Sequence, residues 1–119
     1  MKISTGIRLG FLVILAVLAM HACVFDRATW YGDSWRGRKM ANGRPFNPDG
    51  LTCASWDYPL GTRLRITRDK RSVTVEVTDR GGKNRWYQFG KTIDLTPAAF
   101  SKLAQLKTGS IQIKIHRTD

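Results

Sequence analysis

Strict alternation of apolar and polar residues, in short stretches, constrains the fold of this chain more than any other feature. In the segment VTVEVTDRGG (73–82), a valine occupies every second position until the alternation stops at Asp79. A period of two residues is typical of a strand with one buried face. Five other short segments alternate in the same way or are rich in β-formers: 28–31, 51–55, 62–67, 92–95 and 110–115.

This pattern predicts a mainly β fold, a small closed barrel of six strands with one or two short helices. Closure is expected because it leaves no unpaired strand edge exposed. Thr96 and Pro97 suit the N-cap and the first position of a helix, which would place Phe100 and Leu103 on one face. Two loops, 33–50 and 80–91, are longer than most connections in a compact domain, which indicates a functional role.

The first 22 residues have the layout of a secretory signal peptide. A basic start with Lys2 and Arg8 is followed by ten apolar residues at 11–20, about half of the ~20 that a membrane-spanning helix needs. We therefore expect 1–22 to be a signal peptide, of the lipoprotein type if Cys23 is lipidated, 23–27 a short linker and 28–117 one folded domain. The protein is predicted to be exported to the cell envelope (periplasm or outer membrane) or secreted.

Cys23 and Cys53 allow two exclusive fates for Cys23. Ala22 suits lipoprotein-type processing, after which a lipid on Cys23 would anchor the protein to a membrane. Two cysteines in an exported protein also often pair, so the alternative is a Cys23–Cys53 disulfide. The lipid anchor is the favoured interpretation and the disulfide remains open.

The charge of the chain favours anionic partners. Lys and Arg number 20 against 9 Asp and Glu, a formal net charge of +11, which attracts wall polymers, lipid head groups and peptidoglycan carboxylates. The basic residues are spread along the whole chain, without a basic helix, so nucleic acid is not an expected partner. We expect a monomer that uses no metal and no other cofactor.

Carboxylates are the side chains left for chemistry. The two histidines are His21, inside the predicted signal peptide, and His116, so neither a serine–histidine mechanism nor a histidine–cysteine zinc site is expected. Asp79 and Asp94 each end a β-prone stretch, beside a long loop or a helix start. Taken alone, each is explained equally well by turn formation or helix initiation; as a pair they are candidate catalytic residues.

Aromatic residues fall mainly in loops or at strand ends, where core spacing would not put them. Flat aromatic faces in a wet cleft suit stacking on sugar rings, and packing over a small barrel explains part of the set. The set is Trp30, Tyr31, Trp35, Phe46, Trp56, Tyr58, Trp86, Tyr87 and Phe89.

Six short motifs follow one another at a spacing known from one family. They are Ala28-Thr29-Trp30-Tyr31-Gly32, then Gly37-Arg38 with Met40-Ala41-Asn42-Gly43, then Leu51-Thr52-Cys53-Ala54-Ser55, then Pro59-Leu60-Gly61-Thr62, then Val77-Thr78-Asp79-Arg80-Gly81, then Ile93-Asp94-Leu95-Thr96 with Ala98-Ala99-Phe100. Together they resemble the rare lipoprotein A family of septal-ring lytic transglycosylases, and also the catalytic-type domain of expansins.

The resemblance implies a six-stranded double-psi β-barrel with a groove across one face. It implies an endolytic peptidoglycan lytic transglycosylase that cleaves glycan strands, preferably peptide-free ones, to 1,6-anhydro-muramyl ends. The 6-hydroxyl of the sugar is the nucleophile in that reaction, so one acid/base suffices; Asp79 matches this role, with Asp94 as partner or alternate. The motifs and the loop aromatics give six candidate substrate-binding residues: Tyr31, Trp35, Asn42, Ser55, Trp56 and Arg80.

Two positions depart from the pattern of the family. Arg44 follows Asn42 and Gly43 where enzymatic members carry an acidic residue, and Ser55 stands where they commonly have histidine. Arg44 adds positive charge, which favours binding of an anionic glycan over its cleavage. The alternative function is therefore a non-catalytic, expansin-like module that binds and loosens wall polysaccharide.

Overall fold

The computed structural model describes residues 25–81 and 90–119 of the 119-residue chain. The predicted signal peptide, Cys23 and the aromatic residues Trp86, Tyr87 and Phe89 lie outside the described residues. In the described part, no helix is both long enough and apolar enough to cross a membrane.

Six strands of the described residues form one closed barrel. Around the barrel the strands follow the order β1-β5-β2-β4-β3-β6, and β6 pairs with β1 to close it. The pairs β1–β5 and β2–β4 are parallel and the other four are antiparallel. This confirms the predicted barrel, whose strands are β1 (Asp26–Trp30), β2 (Thr52–Ala54), β3 (Arg63–Arg68), β4 (Arg71–Asp79), β5 (Thr92–Leu95) and β6 (Ile111–Arg117).

The alternating residues fill the interior of the barrel. Val73, Val75 and Val77 of β4 are buried, while Thr74 between the first two is exposed and Glu76 between the last two is partly exposed. Apolar residues from all six strands join them, and burial of this surface is the main driving force for folding. The core also contains Ala28, Cys53, Leu64, Ile66, Ile93, Leu95, Ala99, Phe100, Leu103, Ala104, Ile111 and Ile113.

A short helix, α1 (Pro97–Ser101), covers one end of the barrel. It begins as predicted, because Thr96 Oγ1 accepts the backbone N–H of Ala99 at 3.2 Å and Pro97 follows the cap. The helix ends at Ser101, and side chains of the barrel bind two carbonyls of the segment that follows it. Arg68 donates to Leu103 O at 3.0 Å, and the Trp30 indole donates to Leu106 O at 2.9 Å.

The hairpin between β3 and β4 turns at Asp69 and Lys70, as the segment 68–71 predicts. Asp69 has φ 53, in the left-handed region that aspartate tolerates better than most residues. Its side chain is exposed and lies on a turn that joins two antiparallel strands.

Candidate active site

The two candidate catalytic residues are brought together because both pair with Ala54. In β2, Ala54 is the register partner of Asp79 in the parallel strand β4 and of Asp94 in the antiparallel strand β5. Neighbouring strands lie about 4.8 Å apart, so the two aspartate Cα atoms are separated by roughly 10 Å. Asp79, Ala54 and Asp94 all line one groove, and the small side chain of Ala54 leaves the space between the carboxylates open.

Asp79 both stabilises a turn and lines the groove. Its Oδ1 accepts the backbone N–H of Arg80 at 2.9 Å and that of Ala41 at 3.1 Å. The bond from Ala41 ties a loop to the end of β4, although the loop comes 38 residues earlier in the sequence. The sequence leaves open whether Asp79 is a turn residue or a groove residue. In the structure it is both.

Asp94 is partly buried and accepts a hydrogen bond from one side chain. The Thr29 hydroxyl donates a hydrogen bond to Asp94 Oδ1. Burial raises the pKa of the Asp94 carboxyl above its ordinary value of 3.8, and the bond from Thr29 opposes that rise. A carboxyl with a raised pKa keeps its proton to a higher pH than an exposed one.

Gly81 closes the groove on the side of Asp94. Its φ of +66 is in the left-handed region, and a Cβ at this position would lie 2.7 Å from Asp94 Oδ2 and 3.2 Å from the Ala54 Cβ. Only glycine meets both conditions without displacing the carboxylate. The glycine after Asp79-Arg80 thus allows the backbone to pass directly against the second aspartate.

The groove has a volume of about 800 Å³ and an aromatic wall. The rings of Tyr31 and Phe46 stack with centroids 4.5 Å apart, and Trp35, which is 49% exposed, lies at the mouth. The Tyr31 hydroxyl is buried without a hydrogen-bond partner in the described part of the chain. Burial, and then the negative charge of Asp79, raise its pKa well above the usual range, so the hydroxyl remains a donor.

Residues 35–46 form a hairpin-like loop, the flap, that contributes to the lining of the groove. Backbone bonds hold its two arms together: Phe46 N–H to Arg38 O at 2.7 Å and Met40 N–H to Arg44 O at 2.9 Å. The tip is attached to β4 by the bond from Ala41 to Asp79 and by one from the Asn42 N–H to Thr78 O at 3.1 Å. The flap carries Arg38 and Lys39 into the groove lining.

Two predicted substrate-binding residues, Ser55 and Arg80, make bonds within the protein beside the groove. Ser55 is 2% exposed, and its Oγ accepts the backbone N–H of Asp57 at 3.1 Å. The Arg80 guanidinium donates to Ser55 O at 3.0 Å and to Tyr58 O at 2.6 Å. The structure does not bring either side chain into the groove lining, and both hold the loop that follows β2.

Asn42 and Trp56 lie at the borders of the site. The Asn42 Oδ1 accepts the backbone N–H of Arg44 at 3.0 Å, while its Nδ2 is buried without a partner among the described residues. Trp56 is 50% exposed, and its indole N–H donates to Gly81 O at 3.0 Å. Trp56 therefore supports the turn beside Asp94 and also presents half of its surface to solvent.

Sequence reasoning missed several residues that line or shape the groove. Arg38 and Gly81 belong to the six motifs and Lys39 lies between two of their parts, but nothing in the spacing indicates that these residues line a groove with the aspartates. Thr29 follows the buried Ala28 on β1 and is the register partner of Asp94 on β5, but 65 residues separate the two in the sequence, so nothing local indicates their contact. Among residues 25–81 and 90–119, the lining consists of Tyr31, Trp35, Arg38, Lys39, Phe46, Ala54, Asp79, Gly81 and Asp94.

Cys53 is a free cysteine in the interior of the barrel, with no exposed surface. Burial raises the pKa of its thiol well above the usual range, so the thiol stays protonated. Cys23 lies outside the described residues, and the choice between a lipid anchor and a Cys23–Cys53 disulfide therefore stays a prediction.

A closed six-stranded barrel of this strand order, with acidic side chains in a groove over β2, defines a double-psi β-barrel protein. Residues 26–115 match the family model described as lytic transglycolase, and the chain belongs to that family. This confirms both the fold and the family that the six sequence motifs indicate.

Curated relatives agree with the family match. The chain is 36% identical over 116 residues to the "Probable endolytic peptidoglycan transglycosylase RlpA" of a Nostoc species, covering 96% of this chain and 27% of the relative. It is 33% identical over 101 residues to the endolytic peptidoglycan transglycosylase RlpA of Campylobacter jejuni, covering 83% of this chain and 35% of the relative. The chain thus spans only about a third or less of the length of these relatives.

Solved structures share the barrel at lower identity. The apo expansin of Clavibacter michiganensis aligns with a TM-score of 0.63 and 26% identity, over 81% of this chain and 50% of that one. The Streptomyces papain inhibitor aligns with a TM-score of 0.62 and 26% identity, over 78% of this chain and 91% of that one.

Proposed function

We propose that the protein is an endolytic lytic transglycosylase that cleaves peptidoglycan glycan strands, with a preference for peptide-free strands. The observation that carries the proposal is the groove in which Asp79 and Asp94 flank Ala54 beneath aromatic residues. The family match and the activity named for the RlpA relatives support it.

The proposed reaction needs one proton donor that is later the proton acceptor. Asp79 protonates the leaving glycosidic oxygen while the bond from that oxygen to C1 of the muramyl residue breaks. The 6-hydroxyl of the same residue then bonds to C1 and returns its proton to Asp79, which leaves a 1,6-anhydro end without consuming water. Asp94, with its raised pKa, is the partner or the alternate donor.

The decisive measurement is mass spectrometry of the soluble products released from peptide-stripped glycan strands. We expect products with 1,6-anhydro ends, and we expect Asp79→Asn to lower their rate of formation about 100-fold or more, the usual range for a general acid/base. Asp69→Asn is the matched control, because it removes an exposed carboxylate from the β3–β4 turn. Equal activity of the two variants would exclude Asp79 as the acid/base.

The second candidate function is a non-catalytic, expansin-like module. Arg44 and Ser55 favour it, because they replace an acid and a histidine of the enzymatic pattern, and the expansin structure shares the barrel. This candidate predicts binding to insoluble peptidoglycan without soluble products, with binding weakened by Trp35→Ala or Trp56→Ala. Absence of both products and binding would instead favour a domain that binds a protein partner.

We also propose that the protein acts in the cell envelope and that Cys23 carries a lipid. The complete burial of Cys53 supports the anchor over a disulfide, because a bond to Cys23 would require the segment before β1 to reach the interior of the barrel. We expect Cys53 of the purified mature protein, unfolded without reductant, to react fully with an alkylating reagent. A thiol that reacts only after reduction would establish the disulfide and exclude the anchor.

A further inference from the structure

The flap adds two basic side chains to the groove that contains the two aspartates. Arg38 and Lys39, both exposed, line the groove together with Asp79 and Asp94. The backbone of the flap is fixed on both sides: Arg38 N–H bonds to Trp35 O at 3.0 Å, and Lys39 forms a bridge with Pro45. The two cations therefore lie on a hairpin whose arms are hydrogen-bonded to each other and whose tip is hydrogen-bonded to β4.

Neither cation is neutralised by an acid of the described residues. The ion pairs among these residues join Arg36 to Asp33 and to Asp49, and Arg117 to Asp119. The Arg38 guanidinium instead lies over the Trp35 ring, 5.2 Å from its centroid. Stacking on an aromatic face orients a guanidinium and leaves its edge N–H groups available to an anion.

We propose that Arg38 and Lys39 form a subsite for the lactyl carboxylate of N-acetylmuramic acid in a peptide-free strand. The inference rests on the proposed function. It adds the group of the substrate that the protein recognises to the bond that it cleaves. In a peptide-bearing strand this carboxyl is joined to the first amino acid as a neutral amide. Removal of the peptide leaves one negative charge on every muramyl residue, a ligand that a forked guanidinium binds through two parallel N–H bonds.

The subsite explains a preference for peptide-free strands, because only these strands carry a negative charge on the lactyl carboxyl of each muramyl residue. A groove lined only by aromatic residues would bind stripped and amidated muramyl residues about equally, since both present the same sugar faces. A charge-assisted hydrogen bond at a partly exposed wall changes affinity by about tenfold. Arg44 is an exposed residue of the flap that does not line the groove. We therefore do not include it in the subsite.

The test compares two soluble substrates that differ only in this charge. One is the stripped glycan strand, and the other is the same strand after its muramyl carboxylates have been converted to methylamides with a carbodiimide and methylamine. We measure kcat/KM for cleavage and, with Asp79→Asn, the affinity for each strand. We expect the wild-type protein to favour the carboxylate strand about tenfold or more in both measurements.

The double variant R38Q/K39Q is expected to lose this discrimination by losing activity on the carboxylate strand alone. R65Q is the matched control for charge, because Arg65 is exposed on β3, the strand opposite β5 in the barrel order, and it should keep the wild-type preference. Equal use of the two strands by the wild-type protein, or unchanged discrimination in the double variant, would overturn the subsite while leaving the proposed cleavage intact. Cleavage of neither strand would refute the proposed function, and the affinities would then decide the subsite alone.

Discussion

At the scale of single residues, Asp94 is the clearest case of a side chain held in an unfavourable environment. Its carboxyl is largely removed from water between β1 and the turn at Gly81, and the Thr29 hydroxyl offsets only part of the lost hydration. A carboxyl whose pKa is higher in the folded than in the unfolded chain binds more protons when folded. The free energy of unfolding therefore falls as pH rises from the ordinary value of 3.8 through the raised one.

Replacing Asp94 by asparagine should consequently stabilise the protein at neutral pH. The amide oxygen still accepts the Thr29 hydrogen bond, but no charge has to be buried. We expect a higher Tm for D94N than for the wild-type protein at pH 7, and a difference that shrinks as the pH is lowered toward the ordinary carboxyl range. Thermal unfolding at several pH values measures it, with D69N as the control. A wild-type protein that is more stable than D94N at pH 7 would contradict this account.

At the scale of elements, the turn after β4 and the flap form the site together. Asp79 binds the flap through the Ala41 N–H, and two residues later Gly81 packs against Asp94. One tight turn therefore positions both carboxylates and one wall of the groove. A change in this turn is expected to disturb catalysis more than stability.

Substitution of Gly81 by alanine tests this arrangement. The added methyl meets Asp94 Oδ2 in addition to the strain of φ +66, so we expect a tenfold or greater loss of cleavage and a loss of about 1–2 kcal/mol in the free energy of unfolding. Gly109→Ala is the control, because its φ of +75 imposes similar strain while nothing lies within 4 Å of the new methyl. Comparable losses of activity in the two variants would show that backbone strain, and not contact with Asp94, is responsible.

The elements themselves were largely predictable from the sequence. Alternation located β4 and β6, and the Thr96-Pro97 pair located the start of α1, because these signals depend on local periodicity and local hydrogen bonds. The end of α1 was not predictable, since the donors that bind its following carbonyls, Arg68 and Trp30, come from distant strands. Tertiary contacts of this kind leave no trace in the helical spacing of apolar residues.

At the scale of the whole molecule, the site could be predicted only in part. The motifs indicated the two aspartates and Tyr31, the loop aromatics indicated Trp35, and the barrel places all four in one groove. The sequence did not predict that Arg38, Lys39, Ala54 and Gly81 line the groove. Their role depends on strand pairing, above all on the pairing of β2 with two strands that follow it in the sequence. Ser55 and Arg80, read from motifs alone, instead hold the loop beside the groove.

The pairing of β1 also determines when this chain can fold. Its partners in the barrel are β5 and β6, and the contact between Thr29 and Asp94 spans 65 residues of sequence. A chain that is synthesised or threaded through a membrane from its N-terminus therefore presents β1 long before either partner is available. The barrel can close only after the last strand has arrived, so we expect folding to end in a late step dominated by contacts between distant parts of the sequence.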